Sequence, residues 1–117
     1  DMNFLYGTIF TFEPLDKNNH SRNVCVFANG EVDRSPTGTG VSARAAVHFK
    51  RGEIKLNETV AIESILGSIF KVSVLKETKL GSLNAIIPEV EGTANIVGKN
   101  TFWIDPDDDI GQGFMLR

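Results

Sequence analysis

The octapeptide Asp33-Arg-Ser-Pro-Thr-Gly-Thr-Gly40 sets the expected fold of this chain. A strand-like run from Val24 to Val32 precedes it, and an alanine-rich run from Val41 to Arg51 follows it. This change of pattern indicates a turn that leads from a strand into a helix. The octapeptide combines charged groups, hydroxyls and residues with special backbone angles, whereas its flanks are ordinary strand and helix sequence.

The turn contains the residue types that begin a helix and can hold an anion. Pro36 fixes one backbone angle, while Gly38 and Gly40 permit a tight bend and keep side chains away from the local amides. Thr37 and Thr39 are both suited to cap the helix. A helix start presents unpaired N–H groups and a partial positive charge, which attract a carboxylate or a phosphate. The sequence therefore predicts an anion site, and the alternative is an ordinary loop into a capped helix.

Two nucleotide-binding motifs fit this turn poorly. The spacing Gly38-x-Gly40-x-x-Ala43 matches the dinucleotide fingerprint, and Glu58 or Glu63 lies near the distance expected for a ribose-binding acid. However, the segment Asp-Arg-Ser-Pro-Thr separates the strand from the glycines, and no repeated parallel strand unit is indicated. A phosphate-binding P-loop would need Gly-Lys-Ser or Gly-Lys-Thr, which the sequence lacks.

Length and charge limit the classes of partner. The 117 residues are enough for one domain with a core, so residues 1–117 are expected to form a single domain. A net charge of -3 and a pI near 5.3 give no basic surface for nucleic acid or an acidic membrane. No apolar run reaches the length of a membrane span, and the first residues lack a signal-peptide pattern. The single cysteine, Cys25, is expected to be a small buried hydrophobe, and a chain without disulfides suits the cytoplasm.

Short strands are predicted over much of the chain, which indicates an α+β protein with a mostly antiparallel sheet around one motif helix. Pro14 and Pro88 are expected to end strands, Glu13 to Asn23 is expected to be a polar loop, and Lys76 to Gly81 a charged turn. A turn at Gly67-Ser68 would pair two alternating strands. The predicted strands are 4–12, 24–27, 60–65, 69–74, 83–87, 93–97 and 102–104.

Four polar features are expected to have no functional role. His20 is interpreted as a solvated loop residue, because no His, Cys or paired carboxylate is spaced to join it. His48 is interpreted as an ordinary helix residue, and Glu63 as solvated. The run Asp105-Pro-Asp-Asp-Asp109 lacks the glycine and glutamate of an EF-hand and is expected to be a solvated turn. No metal site is predicted.

The residues from Asp33 to Arg44 resemble the second catalytic motif of the proline racemase family, whose usual form is Asp-Arg-Ser-Pro-Cys-Gly-Thr-Gly-Thr-Ser-Ala-Arg. The resemblance covers the chain from about Val24 onward and implies one lobe of a two-lobed, diaminopimelate epimerase-like fold. The motif of the first lobe, Met-Cys-Gly-His, is absent, so the chain is expected to be a C-terminal lobe from a longer protein. Later blocks that resemble the family in the same order are Glu63–Phe70, Pro88–Ala94, Phe102–Asp108 and Gly113-Phe114.

Thr37 is the informative departure from the usual motif. It stands where racemases and hydroxyproline epimerases of this family carry their second catalytic cysteine, and it is similar to the trans-3-hydroxy-L-proline dehydratase branch. A threonine hydroxyl titrates too high to act as a base near neutral pH. The resemblance therefore implies proton removal from one face and dehydration to pyrroline-2-carboxylate. A proline racemase or hydroxyproline epimerase, and a non-catalytic imino-acid-binding module, remain the alternatives.

The resemblance also implies a role for each residue of the site. Thr37 would be catalytic and face the alpha carbon or position the leaving hydroxyl. Asp33 would hold the substrate ammonium, and the backbone amides of Gly38 and Thr39 would bind its carboxylate. Phe27, ten residues before Thr37, would stack on the substrate ring. The family implies no cofactor and no metal, and the expected partners are a cyclic imino acid, the N-terminal lobe of the same protein and a second copy in a homodimer.

Overall fold

Five strands form one mixed sheet in a computed structural model that describes residues 4–113 and residue 115. The strands lie in the sheet in chain order, and all neighbours are antiparallel except β2 and β3. These two strands are parallel, and the chain connects them through the helix. Their pairing is short, with Ser21 opposite Ile62 and Arg22 opposite Glu63. The elements are β1 (Gly7–Phe12), β2 (Ser21–Phe27), α1 (Gly38–Lys50), β3 (Thr59–Glu63), β4 (Ile69–Leu80) and β5 (Leu83–Glu91).

The helix α1 packs on the sheet through one apolar stripe. Val41 and Ala45 lie four residues apart, so they share a helix face, and both are buried. The helix begins at Gly38, earlier than the predicted start at Val41, and Gly52 ends it with a φ of +74°. The buried core comprises Val41, Ala45, Ile54, Ile62, Val72 and Val74.

The predicted α+β class is confirmed, and so is the antiparallel hairpin of β3 and β4, in which Gly67 has a φ of +83°. The predicted polar loop at 13–23 is too long, because β2 already begins at Ser21. Ser21 and Asn23 are polar but buried, at 7% and 0% exposure, because each accepts a hydrogen bond from Arg44. Composition alone therefore underestimated the length of this strand.

The second half of the sheet corrects two further predictions. Residues 76–80 continue β4 through the predicted charged turn, and the chain turns instead at Gly81, where φ is +60°. Pro88 lies inside β5 rather than ending it, opposite Val74 and beside a register shift between Val74 and Lys76. Within the described sheet β5 is an edge strand, where a residue without an N–H is tolerated.

Residues 92–113, the C-terminal arm, contain no helix or strand, so the strands predicted at 93–97 and 102–104 are wrong. Ile96 and Val97 are both 98% exposed and Trp103 is 93% exposed, which leaves these strand-forming residues without a partner to pair with among the described residues. The radius of gyration of 18.7 Å therefore exceeds the roughly 13 Å of a compact domain of this length. The predicted turn at 105–109 is present.

No helix in the described part of the chain is both long and apolar enough to cross a membrane.

Candidate functional site

The motif turn, residues 33–37, is stabilised by hydrogen bonds that its own side chains make with each other and with its backbone. Gly30, with φ at +86°, turns the chain so that the Asp33 N–H donates to the Cys25 carbonyl at 2.9 Å. Asp33 Oδ1 accepts from the Ser35 N–H at 2.8 Å, and Asp33 Oδ2 accepts from the Thr37 hydroxyl at 3.0 Å. The hydroxyl of Thr37 thus has a defined orientation, with its lone pairs free to accept a further hydrogen bond.

Thr37 adopts a strained backbone conformation, with φ at +71° and ψ at +101°. A β-branched residue rarely enters this region, and such strain costs about 1–3 kcal/mol. Thr37 occupies the N-cap position, but its side chain accepts no cap hydrogen bond, and its hydroxyl instead donates to Asp33. Thr39 is not a cap, since α1 already begins at Gly38. The predicted cap position of Thr37 is therefore confirmed without a capping bond from its side chain, whereas the prediction of Thr39 as a cap is wrong.

The first amides of α1 remain available to an anion. Gly38 and Thr39 are exposed, and within the described residues no acceptor bonds to their backbone N–H groups. The first hydrogen bond of the helix is donated by the Val41 N–H to the Thr37 carbonyl, at 2.8 Å. These free donors, together with the helix dipole, fit the carboxylate site expected from the sequence.

A cavity of about 190 Å³ opens beside Thr37. This is smaller than the roughly 300–1,000 Å³ of sites for drug-sized ligands, so it suits a small molecule. Of the site residues predicted from the sequence, three line this cavity: Phe27, Thr37 and Thr39. Asp33 does not line it but accepts a hydrogen bond from Thr37, and Gly38 lies outside its wall. The complete lining is Tyr6, Gly7, Ile9, Cys25, Phe27, Thr37, Thr39 and Gly40.

Three side chains of this wall were missed from the sequence: Tyr6, Ile9 and Cys25. The Tyr6 ring packs edge-on against Phe27, with ring centroids 5.5 Å apart. Cys25 lies two residues before Phe27 and therefore on the same face of β2, which is a signal that strand periodicity offers. Cys25 is 3% exposed, so the predicted burial is confirmed.

Gly40 allows close packing within this wall. A Cβ placed on Gly40 would lie 2.1 Å from Ile9 Cδ1, far inside van der Waals contact. The absence of a side chain at residue 40 therefore allows β1 to pack closely on the start of α1. Gly38, in contrast, faces open space, with Phe70 the nearest contact at 4.0 Å.

A buried amide supports the motif turn from behind. Asn23, on β2, has no exposed surface, and its Nδ2 donates to the Pro36 carbonyl at 3.1 Å. Arg44, on α1, donates to Asn23 Oδ1 and to the Ser21 hydroxyl, the latter at 2.9 Å. None of these three polar side chains was predicted to have a role, since nothing local in the sequence marks Asn23 or Ser21 as buried.

The two histidines are neighbours, which makes the prediction of an isolated, solvated His20 wrong. Their rings are 4.6 Å apart, His48 Nε2 contacts Arg44 at 3.1 Å, and His48 Nδ1 contacts Glu53. Burial lowers the pKa of His20, and the nearby His48 and Arg44 lower it further. No group of three His, Cys, Asp or Glu side chains converges as metal ligands in the described residues.

Glu63 is 3% exposed, so the prediction of a solvated side chain is wrong. Its Oε1 accepts from Asn19 Nδ2 at 2.8 Å and from the Asp16 N–H at 2.9 Å, and its Oε2 accepts from the Leu15 N–H at 2.9 Å. These bonds, that from Asn19 first, hold the pKa of Glu63 below its usual value. Glu63 anchors the loop before β2 and does not line the cavity.

Three relatives show what this chain is similar to. It is 48% identical, over its full length, to a trans-3-hydroxy-L-proline dehydratase of Colwellia psychrerythraea, and covers 33% of that protein. It is 49% identical, over 89% of its length, to a proline racemase of Acetoanaerobium sticklandii, and covers 31% of it. A crystal structure of a hydroxyproline epimerase from Agrobacterium vitis with bound trans-4-hydroxy-L-proline superimposes with a TM-score of 0.75, at 33% identity, over 96% of this chain and 32% of that one.

The chain thus spans about a third of the length of the relatives it matches. The family model described as proline racemase matches residues 1–115, which include the motif turn, the helix start and the cavity wall. The shared fold of the epimerase agrees with an α+β lobe of the predicted kind. The chain belongs to the proline racemase family.

Proposed function

We propose that this chain is the second lobe of a longer enzyme that dehydrates trans-3-hydroxy-L-proline to pyrroline-2-carboxylate. The observation that carries this proposal is a threonine at residue 37, whose hydroxyl is oriented by Asp33 at the edge of the cavity. The dehydratase relative supports the specific reaction. The racemase and epimerase relatives support the broader class of an enzyme that acts on cyclic imino acids.

The substrate is held by charge at both ends in this proposal. The amides of Gly38 and Thr39 bind the carboxylate, and they stabilise the negative charge that spreads onto it as the alpha proton leaves. Asp33 accepts only two hydrogen bonds in the turn, so its carboxylate has lone pairs left for the substrate ammonium. Phe27 contacts the ring from the cavity wall.

The reaction needs a base on one face only. A cysteine thiolate of the first lobe takes the alpha proton, and the electron pair of that C–H bond forms the double bond to C3. In the trans isomer the 3-hydroxyl lies on the same face as the alpha proton, so it leaves on the side of the first-lobe cysteine. The thiol formed there returns its proton to the departing hydroxide, which makes one water and restores the thiolate, while Thr37 faces the alpha carbon from the other side. The enamine then tautomerises to the cyclic imine. Thr37 returns no proton to the other face, so the substrate is not inverted.

The test uses the complete protein with trans-3-hydroxy-L-proline, trans-4-hydroxy-L-proline and L-proline in separate reactions. Formation of the cyclic imine from the first substrate, without inversion of the other two, is the expected result. Inversion of proline or of 4-hydroxyproline would make the protein a racemase or an epimerase. Binding of the imino acids without any turnover would make it a binding module.

A cysteine substitution tests the role of Thr37 directly. Thr37→Cys supplies an acid on the second face, so we expect solvent deuterium at the alpha carbon of unreacted substrate, with inverted configuration. Thr78→Cys, on the exposed end of β4, is the matched control and should give neither. Unchanged stereochemistry with no deuterium gained in the Thr37 variant would count against the proposed role.

A further inference from the structure

We propose that Asn23 and Arg44 are positioning residues for Thr37, because they fix the peptide unit that joins Pro36 to Thr37. The carbonyl of this peptide accepts from Asn23 Nδ2 at 3.1 Å, and its N–H donates to Ser35 Oγ at 3.0 Å. The peptide plane is therefore held at both of its polar ends. The kinetic part of the proposal rests on the proposed function, whereas its structural part does not.

The strained backbone conformation of Thr37 requires stabilising contacts from its surroundings. A φ of +71° at a β-branched residue persists only where the surroundings over-determine it. Rotation of the preceding peptide would relieve the strain, but it would break the hydrogen bonds of the Pro36 carbonyl and the Thr37 N–H. The side chain of Pro36 is fully buried, so its carbonyl would lose Asn23 in a place with little access to water.

Arg44 decides which end of the buried amide faces the turn. The oxygen and nitrogen ends of an asparagine amide have nearly the same shape, but only the nitrogen can donate to the Pro36 carbonyl. The guanidinium of Arg44 carries donors only, so it takes Asn23 Oδ1 and leaves Nδ2 for Pro36. Arg44 is itself held by the Ser21 hydroxyl at 2.9 Å and by His48 Nε2 at 3.1 Å.

The amides of the anion site have a separate support. The start of α1 is fixed by burial of Val41 and Ala45 and by the bond from the Val41 N–H to the Thr37 carbonyl. Loss of the Asn23 bond should therefore disturb the side chain of Thr37 more than the amides of Gly38 and Thr39. In kinetic terms, the chemical step suffers while binding of the substrate carboxylate is largely kept.

The experiment is the substitution Asn23→Asp in the complete protein, with Asn84→Asp on the exposed surface of β5 as the control. Aspartate has nearly the same shape and still accepts from Arg44, but it cannot donate to Pro36. We expect kcat for dehydration to fall about tenfold or more, with KM changed less than about threefold. Arg44→Met should show the same pattern, and Arg44→Lys, which keeps a donor, should retain most of kcat.

An unchanged kcat overturns the proposal. A fall in kcat with an equally large rise in KM also overturns it, because a general structural role would produce that pattern. A crystal structure of the Asn23→Asp protein gives a readout that needs no activity. We expect φ at residue 37 to leave the positive range, and its retention would overturn the proposal even in a protein that dehydrates nothing. If Asn23→Asp gives no folded protein, Arg44→Met removes the group that orients the Asn23 amide and decides by the same measurements.

Discussion

Two carboxylates, Asp33 and Glu63, each organise a loop beside β2, and they do so in opposite ways. Glu63 is 3% exposed and accepts three hydrogen bonds from a loop more than forty residues away in the chain. Asp33 is only half-buried and binds partners two and four residues further on. One carboxylate joins distant segments, whereas the other shapes a turn and keeps acceptor capacity for something outside it.

Burial thus separates a structural carboxylate, Glu63, from the one that we propose binds the substrate, Asp33. The three donors around Glu63 occupy most of its acceptor sites and exclude water, so nothing further can bind there. Asp33 has partners on both oxygens but remains open to solvent and lies next to the hydroxyl that lines the cavity. Substitutions at Asp33 should therefore change activity, and substitutions at Glu63 should change stability.

The largest effect is expected from Asp33→Asn in the complete protein. Removing one partner of a charge pair costs about 2–5 kcal/mol, so kcat/KM should fall about 30-fold or more. The melting temperature should change by only a few degrees, because the new amide keeps an oxygen for the Ser35 N–H. Steady-state kinetics and thermal unfolding of the same preparation measure kcat/KM and Tm. A large fall in Tm with unchanged kcat/KM would contradict the contrast drawn between Asp33 and Glu63.

Glu63→Gln should produce the reverse pattern. Glutamine keeps one acceptor oxygen, but in either orientation its NH₂ group must face one backbone N–H that needs an acceptor, that of Leu15 or that of Asp16. We expect a clear fall in Tm and an unchanged kcat per folded molecule. Glu77→Gln on the exposed part of β4 is the matched control, and it should leave Tm as it is. A lower kcat in fully folded Glu63→Gln protein would indicate a catalytic role for Glu63.

The pH dependence of stability tests the hydrogen bonds that Glu63 accepts. The pKa of Glu63 is lower in the folded than in the unfolded state, so its contribution is complete above the unfolded value near 4.5. It is lost as the pH falls through the folded value, because the native carboxylate must then be protonated. Denaturant unfolding at pH 7 and at pH 3 should show the difference between wild type and Glu63→Gln shrinking in acid, and a constant difference would contradict this.

The smallest effect is expected at the loop end of the Glu63 anchor. Asn19→Ala removes one side-chain donor to Glu63, whereas Asn18→Ala removes only a local bond to Asp16. Since one hydrogen bond contributes little net stability, we expect Tm to fall by a few degrees for Asn19→Ala. The Asn18 variant should melt within a degree or two of wild type. Equal shifts in the two variants would show that the long-range anchor adds nothing beyond the loop itself.

The sequence was most informative where the determinants of structure are local. The turn at 33–40, the helix that follows it and the hairpin at Gly67 depend on residues a few positions apart, so glycine, proline and alternation predicted them. The apolar wall beside Thr37 was partly predictable, through Phe27 and its strand neighbour Cys25. The roles of these residues in catalysis stay predictions.

The errors arose where a distant segment decides the outcome. Glu63 is buried because loop residues near Asp16 fold over it, and Pro88 is tolerated because β5 lies at an edge of the described sheet. No pattern within a few residues of either position carries that information. The strand predictions in the C-terminal arm are wrong because the sequence pattern is present but a partner is not. Strand-forming residues such as Ile96 and Trp103 have no neighbouring strand in the described residues.

The contact between Gly40 and Ile9 has a consequence for how this cavity can diversify. Its width is set jointly by a backbone position at the helix start and by a side chain on the outermost described strand, β1. A side chain at residue 40 would force the end of the Ile9 side chain to move. The size of residue 40 and the conformation of residue 9 are therefore coupled, and substitutions at the two positions should change the width of the cavity jointly.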